Sequence, residues 1–105
     1  MIQVLWKDNR SIPLVVCDEC REPIANAGLA MVAYESDNGD GTYRELAFLH
    51  KGACDEGFKG GRNRDGGWVE LRHFLVNLCH NAGMPAGGES MAQAIEERRD
   101  LDMLP

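Results

Sequence analysis

A small α+β domain is the fold class this sequence predicts, and three observations predict it. Short apolar runs rich in β-branched residues, Ile2 to Trp6 and Ile12 to Val16, read as a pair of strands. Two further strand-like runs, Leu29 to Glu35 and Thr42 to Leu49, flank a turn made of Ser36 to Gly41. Apolar residues at helical spacing then follow: Trp68, Leu71, Leu75, Leu78 and Ala82. The expected architecture is a short β-ribbon and a β-hairpin packed on one main helix, with a C-terminal helix added.

Lys7 to Ser11 is polar and turns the first strand into the second. Pro13 lacks an N–H, so the second strand belongs at an edge. Asn38-Gly39 and Asp40-Gly41 supply residues suited to the positive φ of a tight hairpin turn. This turn lacks the alternate acids and the terminal Glu of a calcium loop. On the second hairpin strand Leu46 and Phe48 share one face, and Ala47 and Leu49 the other. His50 to Phe58 reads as a helix start, Lys59 to Gly67 as a Gly- and Arg-rich loop, and Trp68 to Ala82 as the main helix. Gly83 stops that helix and Pro85 follows at the usual distance. Ser90 and Gln93 match a capping box for a last helix from Met91 to about Leu101.

With 105 residues the chain is read as one domain, residues 1–86, followed by a linker and C-terminal helix or tail, residues 87–105. Its formal net charge of −6 repels phosphate backbones and anionic lipid. The first ten residues carry no basic-then-apolar leader pattern, and no apolar run reaches the length of a membrane span. A cytoplasmic, reducing setting is therefore expected, in which grouped cysteines point to metal binding or redox work rather than to disulfides.

Two stretches carry chemistry. Cys17-Asp18-Glu19-Cys20 is a C-x2-C knuckle, and His50-Lys51-Gly52-Ala53-Cys54 is an H-x3-C pair on the far side of the hairpin. Three soft thiolates and one imidazole make up a closed tetrahedral Zn²⁺ set. Cys17, Cys20, His50 and Cys54 are accordingly the expected metal ligands, with Zn²⁺ as the cofactor. A redox C-x2-C is the rival reading, but Asp18 and Glu19 oppose the low thiol pKa it needs. A catalytic zinc would keep a coordination position open, and the His-x-Glu of a zinc deaminase is absent. The order of knuckle, hairpin and ligand pair at a helix start resembles the treble-clef zinc fingers. Cys17-x2-Cys20-x2-Pro23-Ile24 looks like the opening of a LIM-type or zinc-ribbon-like module. The resemblance spans Val16 to Phe58 and implies a metal-ligand role for those four residues. It departs from LIM domains in using H-x3-C where they use H-x2-C, and in lacking their second zinc module.

Cys79 and His80 are adjacent on the main helix, so their side chains diverge by about 100° and do not share an ion. Cys79 reads as a small core thiol. His73 and His80 lie seven apart on a second face with Val69 and Val76, a partly covered surface or a partner contact. No Ser-His-Asp or phosphate-loop pattern marks an enzyme, and no catalytic residues are expected. The reading is a structural-zinc module that mediates protein–protein interaction, with partner docking or self-association through the C-terminal segment and no membrane contact. The alternative is a nucleic-acid-binding regulator using the Lys59–Arg64 loop and Lys51. The acidic charge disfavours it, and the loop lacks aromatic residues for base stacking.

Overall fold

The computed structural model describes residues 1–37, 39–58 and 67–98. Strands β1 (Ile2–Lys7) and β2 (Arg10–Val15) form an antiparallel ribbon of their own. The turn between them places Asp8 and Asn9 at φ 54° and 61°. That is the two-residue hairpin turn whose twist matches the strands, and short polar side chains tolerate it best. Val4 faces Pro13 across the ladder. The predicted edge position of Pro13 is met, since both strands of a two-stranded sheet are edges.

The second sheet has the order β4-β3-β5. Strands β3 (Ala30–Asp37) and β4 (Tyr43–His50) are the predicted hairpin, shifted by about one residue. Strand β5 (Trp68–Glu70) was not expected. The spacing of Trp68 with Leu71 and Leu75 suits a helix, yet Trp68 and Val69 pair with Ala33 and Val32 of β3. An aromatic and a β-branched residue gain more from a sheet edge than from a first helical turn. Helix α2 therefore runs Leu71–Asn81 rather than from Trp68 to Ala82, and Trp68 is 56% exposed instead of lining its stripe.

The β3–β4 pair is buried on both faces. Over one face Val32, Phe48, Ala30 and Leu71 form a cluster joined by Phe74, Leu75 and Val15. Phe74, absent from the predicted stripe, meets Phe48 edge-on with ring centroids 5.9 Å apart. Leu78 was expected inside but is 48% exposed. The inward face of α2 is thus Leu71, Phe74 and Leu75, one helical turn at i, i+3 and i+4. Its end follows expectation: Gly83 sits at φ 84°, its N–H donates to the His80 carbonyl, and the Met84 N–H donates to that of Cys79. These two bonds close a Schellman cap.

Over the other face Cys17, Met31, Ala33, Ala47 and Leu49 are buried together, with Cys54 and Phe58 packed on them from helix α1 (Ala53–Gly57). The core and the cysteine knuckle therefore share the floor supplied by β3 and β4. The last helix, α3, spans Glu89–Arg98 and holds no buried residue. It begins before Ser90, with the Ala92 N–H donating to the Gly88 carbonyl, so Ser90 lies inside the helix and the predicted capping box does not form. Met91 and Ala94 are half-buried and Ile95 is exposed. Lys59 to Gly66 of the predicted loop, Asn38 of the hairpin turn, and Leu101, Met103 and Leu104 lie outside the described residues. No described helix is long and apolar enough to cross a membrane.

Candidate metal centre

The knuckle begins where β2 ends. Val16 bridges to Pro23, the Cys17 N–H donates to the Glu22 carbonyl, and the Arg21 N–H donates back to the Cys17 carbonyl. Closing so short a turn puts Arg21 in the left-handed region at φ 66°. The two cysteine side chains thereby come to the same side of the loop.

Asp18 fastens this loop to the hairpin. Its backbone N–H donates to the Phe48 carbonyl at 2.7 Å, and its carboxylate accepts the Phe48 N–H at 2.8 Å. Both outward groups of one residue on the edge strand β4 are satisfied by one residue of the knuckle. The same carboxylate oxygen also accepts from the Met1 amine at 3.0 Å. From sequence, Asp18 reads only as an acid opposing its neighbouring thiolates. Folded, its charge is spent on a backbone N–H and an ammonium. The missed signal was an Asp inside a tight turn, where its short side chain can stand in for backbone.

His50 arrives differently from the expected helical pair. It is the last residue of β4, not part of a helix. Gly52 at φ 91° and ψ −123° turns the chain sharply, and α1 starts only at Ala53. A residue with a Cβ would strain that turn, which explains why the four-residue step from His50 to Cys54 contains a glycine. The i, i+4 spacing still brings the two side chains together, through a strand end and a turn rather than a shared helical face.

The four residues converge. One ligand atom from each of Cys17, Cys20, His50 and Cys54 lies within 4.8 Å of all the others, and this cluster could hold a metal ion. The His50 Nδ1 is 3.4 Å from the Cys20 sulfur and 3.9 Å from the Cys54 sulfur. Tetrahedral Zn²⁺ with Zn–S near 2.3 Å and Zn–N near 2.0–2.1 Å requires S···N edges of about 3.6 Å. The spacing therefore fits an ion of that size. All three thiols are free of disulfides.

Electrostatics overturn one expectation, that Asp18 and Glu19 keep the thiols of the knuckle from ionising. Burial opposes the Cys17 thiolate, but backbone N–H groups of Cys20, His50 and Glu19 aim at its sulfur and bring its pKa down to about 6. Burial, and then the neighbouring Cys20 and Cys17, push Cys54 up to about 11. Protein groups alone thus favour one thiolate and resist a third. A coordinating dication among them would favour all three thiolates together. Exposure is graded as well: Cys17 is fully buried, Cys54 and His50 are half-buried, and Cys20 faces solvent.

The other candidates stay apart. Among the described residues no metal-holding group includes Cys79, His73 or His80. Cys79 is half-buried and His80 exposed. His73 is exposed and lies 3.5 Å from the Glu70 carboxylate. Glu70 also takes Lys51 at 2.5 Å and Arg72 at 3.1 Å. Lys51, and after it Arg72, hold the Glu70 carboxyl well below its ordinary range, at about 2. Lys51, grouped with the Lys59–Arg64 loop in the nucleic-acid alternative, is committed to this pair and to the Gly28 carbonyl. No family model matches the chain, and neither a curated protein nor a solved structure matches it.

Proposed function

We propose that Cys17, Cys20, His50 and Cys54 bind one Zn²⁺ as a closed structural site of treble-clef type, and that the domain so held together serves protein–protein interaction. The convergence of three sulfurs and one imidazole nitrogen, from a knuckle, a strand end and a helix, carries the metal half of the reading. Soft thiolates select zinc over hard cations such as Mg²⁺ and Ca²⁺. Four protein donors leave no position for a substrate, which suits a structural role. Bound zinc would tie the knuckle, the end of β4 and α1 into one unit over the Met31–Leu49 floor.

Two features support interaction as the role. Large apolar side chains stand exposed on the ribbon and on α2 and α3, among them Trp6, Val76 and Ile95. The net charge of −6 moves to about −7 once three thiolates and one dication replace three thiols, which disfavours nucleic acid. Partner capture by the C-terminal segment is part of this proposal. Its thin apolar face of Met91, Ala94 and Ile95 buries little within the chain.

Elemental analysis of protein purified without added metal tests the site, with one zinc per chain expected. A structural zinc contributes an apparent ~10–16 kcal/mol in finger peptides, as much as the whole ~5–15 kcal/mol stability of a domain. Cys17→Ser, Cys20→Ser and Cys54→Ser therefore lose zinc and hairpin order together. Cys79→Ala keeps its zinc and loses only about 1–2 kcal/mol of packing. Release of metal by Cys79→Ala as readily as by Cys54→Ser would overturn the ligand assignment, and a metal-free protein with a Cys17–Cys20 disulfide would favour the redox reading.

A further inference from the structure

The N-terminal ribbon has two edges, and they differ. The Val16 N–H donates to the Met1 carbonyl, so Met1 and Val16 form a hydrogen-bonded pair. Antiparallel ladders alternate hydrogen-bonded and non-hydrogen-bonded pairs. Gln3–Leu14, Leu5–Ile12 and Lys7–Arg10 are then the bonded pairs, and Ile2–Val15, Val4–Pro13 and Trp6–Ser11 turn their backbone groups outward. The outer edge of β2 is guarded. Val15 offers its carbonyl to the Ile24 N–H at 2.8 Å, and Pro13 has no N–H to offer. Pro13 sits at the one parity where it breaks no ladder bond.

Among the described residues the outer edge of β1 has no such guard. No described residue takes the outward N–H and carbonyl groups of Ile2, Val4 and Trp6. The strand runs in unbroken register, contains no proline, and carries one charge, Lys7, at its end. Those same three residues also place their side chains on one face of the ribbon. Ile2 is 64%, Val4 62% and Trp6 69% exposed. A bare, regular, apolar edge is a template for another strand unless something covers it.

We propose that β1 is the site of self-association, pairing antiparallel with β1 of a second copy about a two-fold axis at Val4. The pattern Ile2, Val4, Trp6 is its own complement under that operation. Val4 meets Val4 of the second copy, Ile2 meets Trp6, and each outward-facing residue exchanges two main-chain bonds with its mate. The result is a four-stranded sheet in the order β2-β1-β1-β2, ending on a Pro13 edge at both sides, with one continuous apolar face. This pairing closes on itself and leaves outward only the β2 edges, where Pro13 and the Val15–Ile24 bond discourage further pairing. An arbitrary outside strand would need its own match to the alternation, whereas a second copy supplies it by symmetry.

The area sets the strength. The three side chains leave on the order of 400 Å² uncovered per chain, within the ~300–600 Å² of the largest patches on typical monomers. Edge pairing covers only the flanks of these side chains and leaves the face itself open, so the buried area falls well below the ~1,200 Å² of a standard stable interface. The pairing is therefore weak and concentration-dependent. Like charge on both copies opposes it, so raising salt strengthens it. A complex held by opposite charges would respond the other way.

This inference names a partner for the interaction half of the proposed function and does not depend on the metal half. Sedimentation velocity of the full chain from about 10 to 500 μM, a range spanning weak association, should show a monomer giving way to a dimer, more so at high salt. Val4→Pro removes an outward N–H that the monomer does not use, opposite a proline already tolerated. Val4→Lys leaves the backbone alone and puts two ammonium groups at the axis. Both variants should keep the wild-type zinc content and sediment as monomers throughout, and Val4→Lys decides should Val4→Pro fold poorly. Removing residues 89–105 should leave the dimer in place, which separates it from association through α3. A wild-type chain that stays monomeric across the range, whether or not an outside strand is later found on β1, overturns the proposal. So does a Val4→Lys variant that dimerises like the parent, or loss of the dimer on truncation. A monomer that still carries zinc would sink this inference alone and leave the metal reading standing.

Discussion

Replacing Asp18 by alanine tests how the knuckle is anchored. The substitution leaves all four candidate ligands in place but removes the acceptor for the Phe48 N–H, 2.8 Å away. A hydrogen bond to a charged group contributes about 1.5–3 kcal/mol, and an N–H left without an acceptor costs about 1–3 kcal/mol. The Asp18 side chain is 19% exposed, so water can partly replace it. We therefore expect about 1–2 kcal/mol of destabilisation. Near 2.1 cal/mol/K of unfolding entropy per residue, that is a fall in Tm of roughly 5–10 °C for a domain of this size. Asp18→Asn keeps an acceptor oxygen and should lose less than half as much. Thermal melts of the three proteins, followed by circular dichroism in excess zinc, measure the difference. Chelator competition should show the alanine variant releasing metal more readily, because the Cys17–Cys20 turn is no longer held to β4. Melting of Asp18→Ala within about 1 °C of the parent, with unchanged metal release, would refute the anchoring role.

Three further outcomes follow from other residues. Arg21 sits in the left-handed region, where an L-residue loses about 1–2 kcal/mol and glycine does not; allowing about 0.5–1 kcal/mol for the entropy of glycine, Arg21→Gly should be neutral or stabilising by up to ~1.5 kcal/mol in urea unfolding, while Gly52→Ala should destabilise. Glu70 has a folded pKa lowered to about 2 from an ordinary 4.5, so its stabilisation is complete above pH 4.5 and lost as pH falls toward 2. The stability gap between the parent and Glu70→Gln should thus be full at pH 6 and narrow below 4.5, acid release of metal being common to both and cancelling in the difference. Deleting residues 89–105 should leave zinc content and the far-ultraviolet signature of the sheets intact, since α3 contributes no buried residue; unfolding on truncation would place α3 in the core instead.

Local chemistry determined much of this protein. The C-x2-C and H-x3-C spacings named the four residues that meet, because ligand pairs close in sequence need only a turn to converge. The Asn38–Gly41 region and the alternation of Leu46 to Leu49 marked the hairpin and both its faces. Gly83 marked the end of α2. These are signals that a few neighbouring residues generate by themselves. Other features waited for contacts between distant parts of the chain. Trp68 and Val69 became strand because β3 offered an open edge beside them. Phe74 turned inward because Phe48 lay beneath it, and Leu78 stayed exposed despite its helical spacing. Asp18 changed from an isolated acid to an anchor once β4 came alongside. The guarded edge of β2 and the bare edge of β1 depend on the parity of the ladder, which one residue of register would invert. Spacing along the chain decides which groups can meet, and only the folded backbone decides which donors, edges and faces are left over for something else.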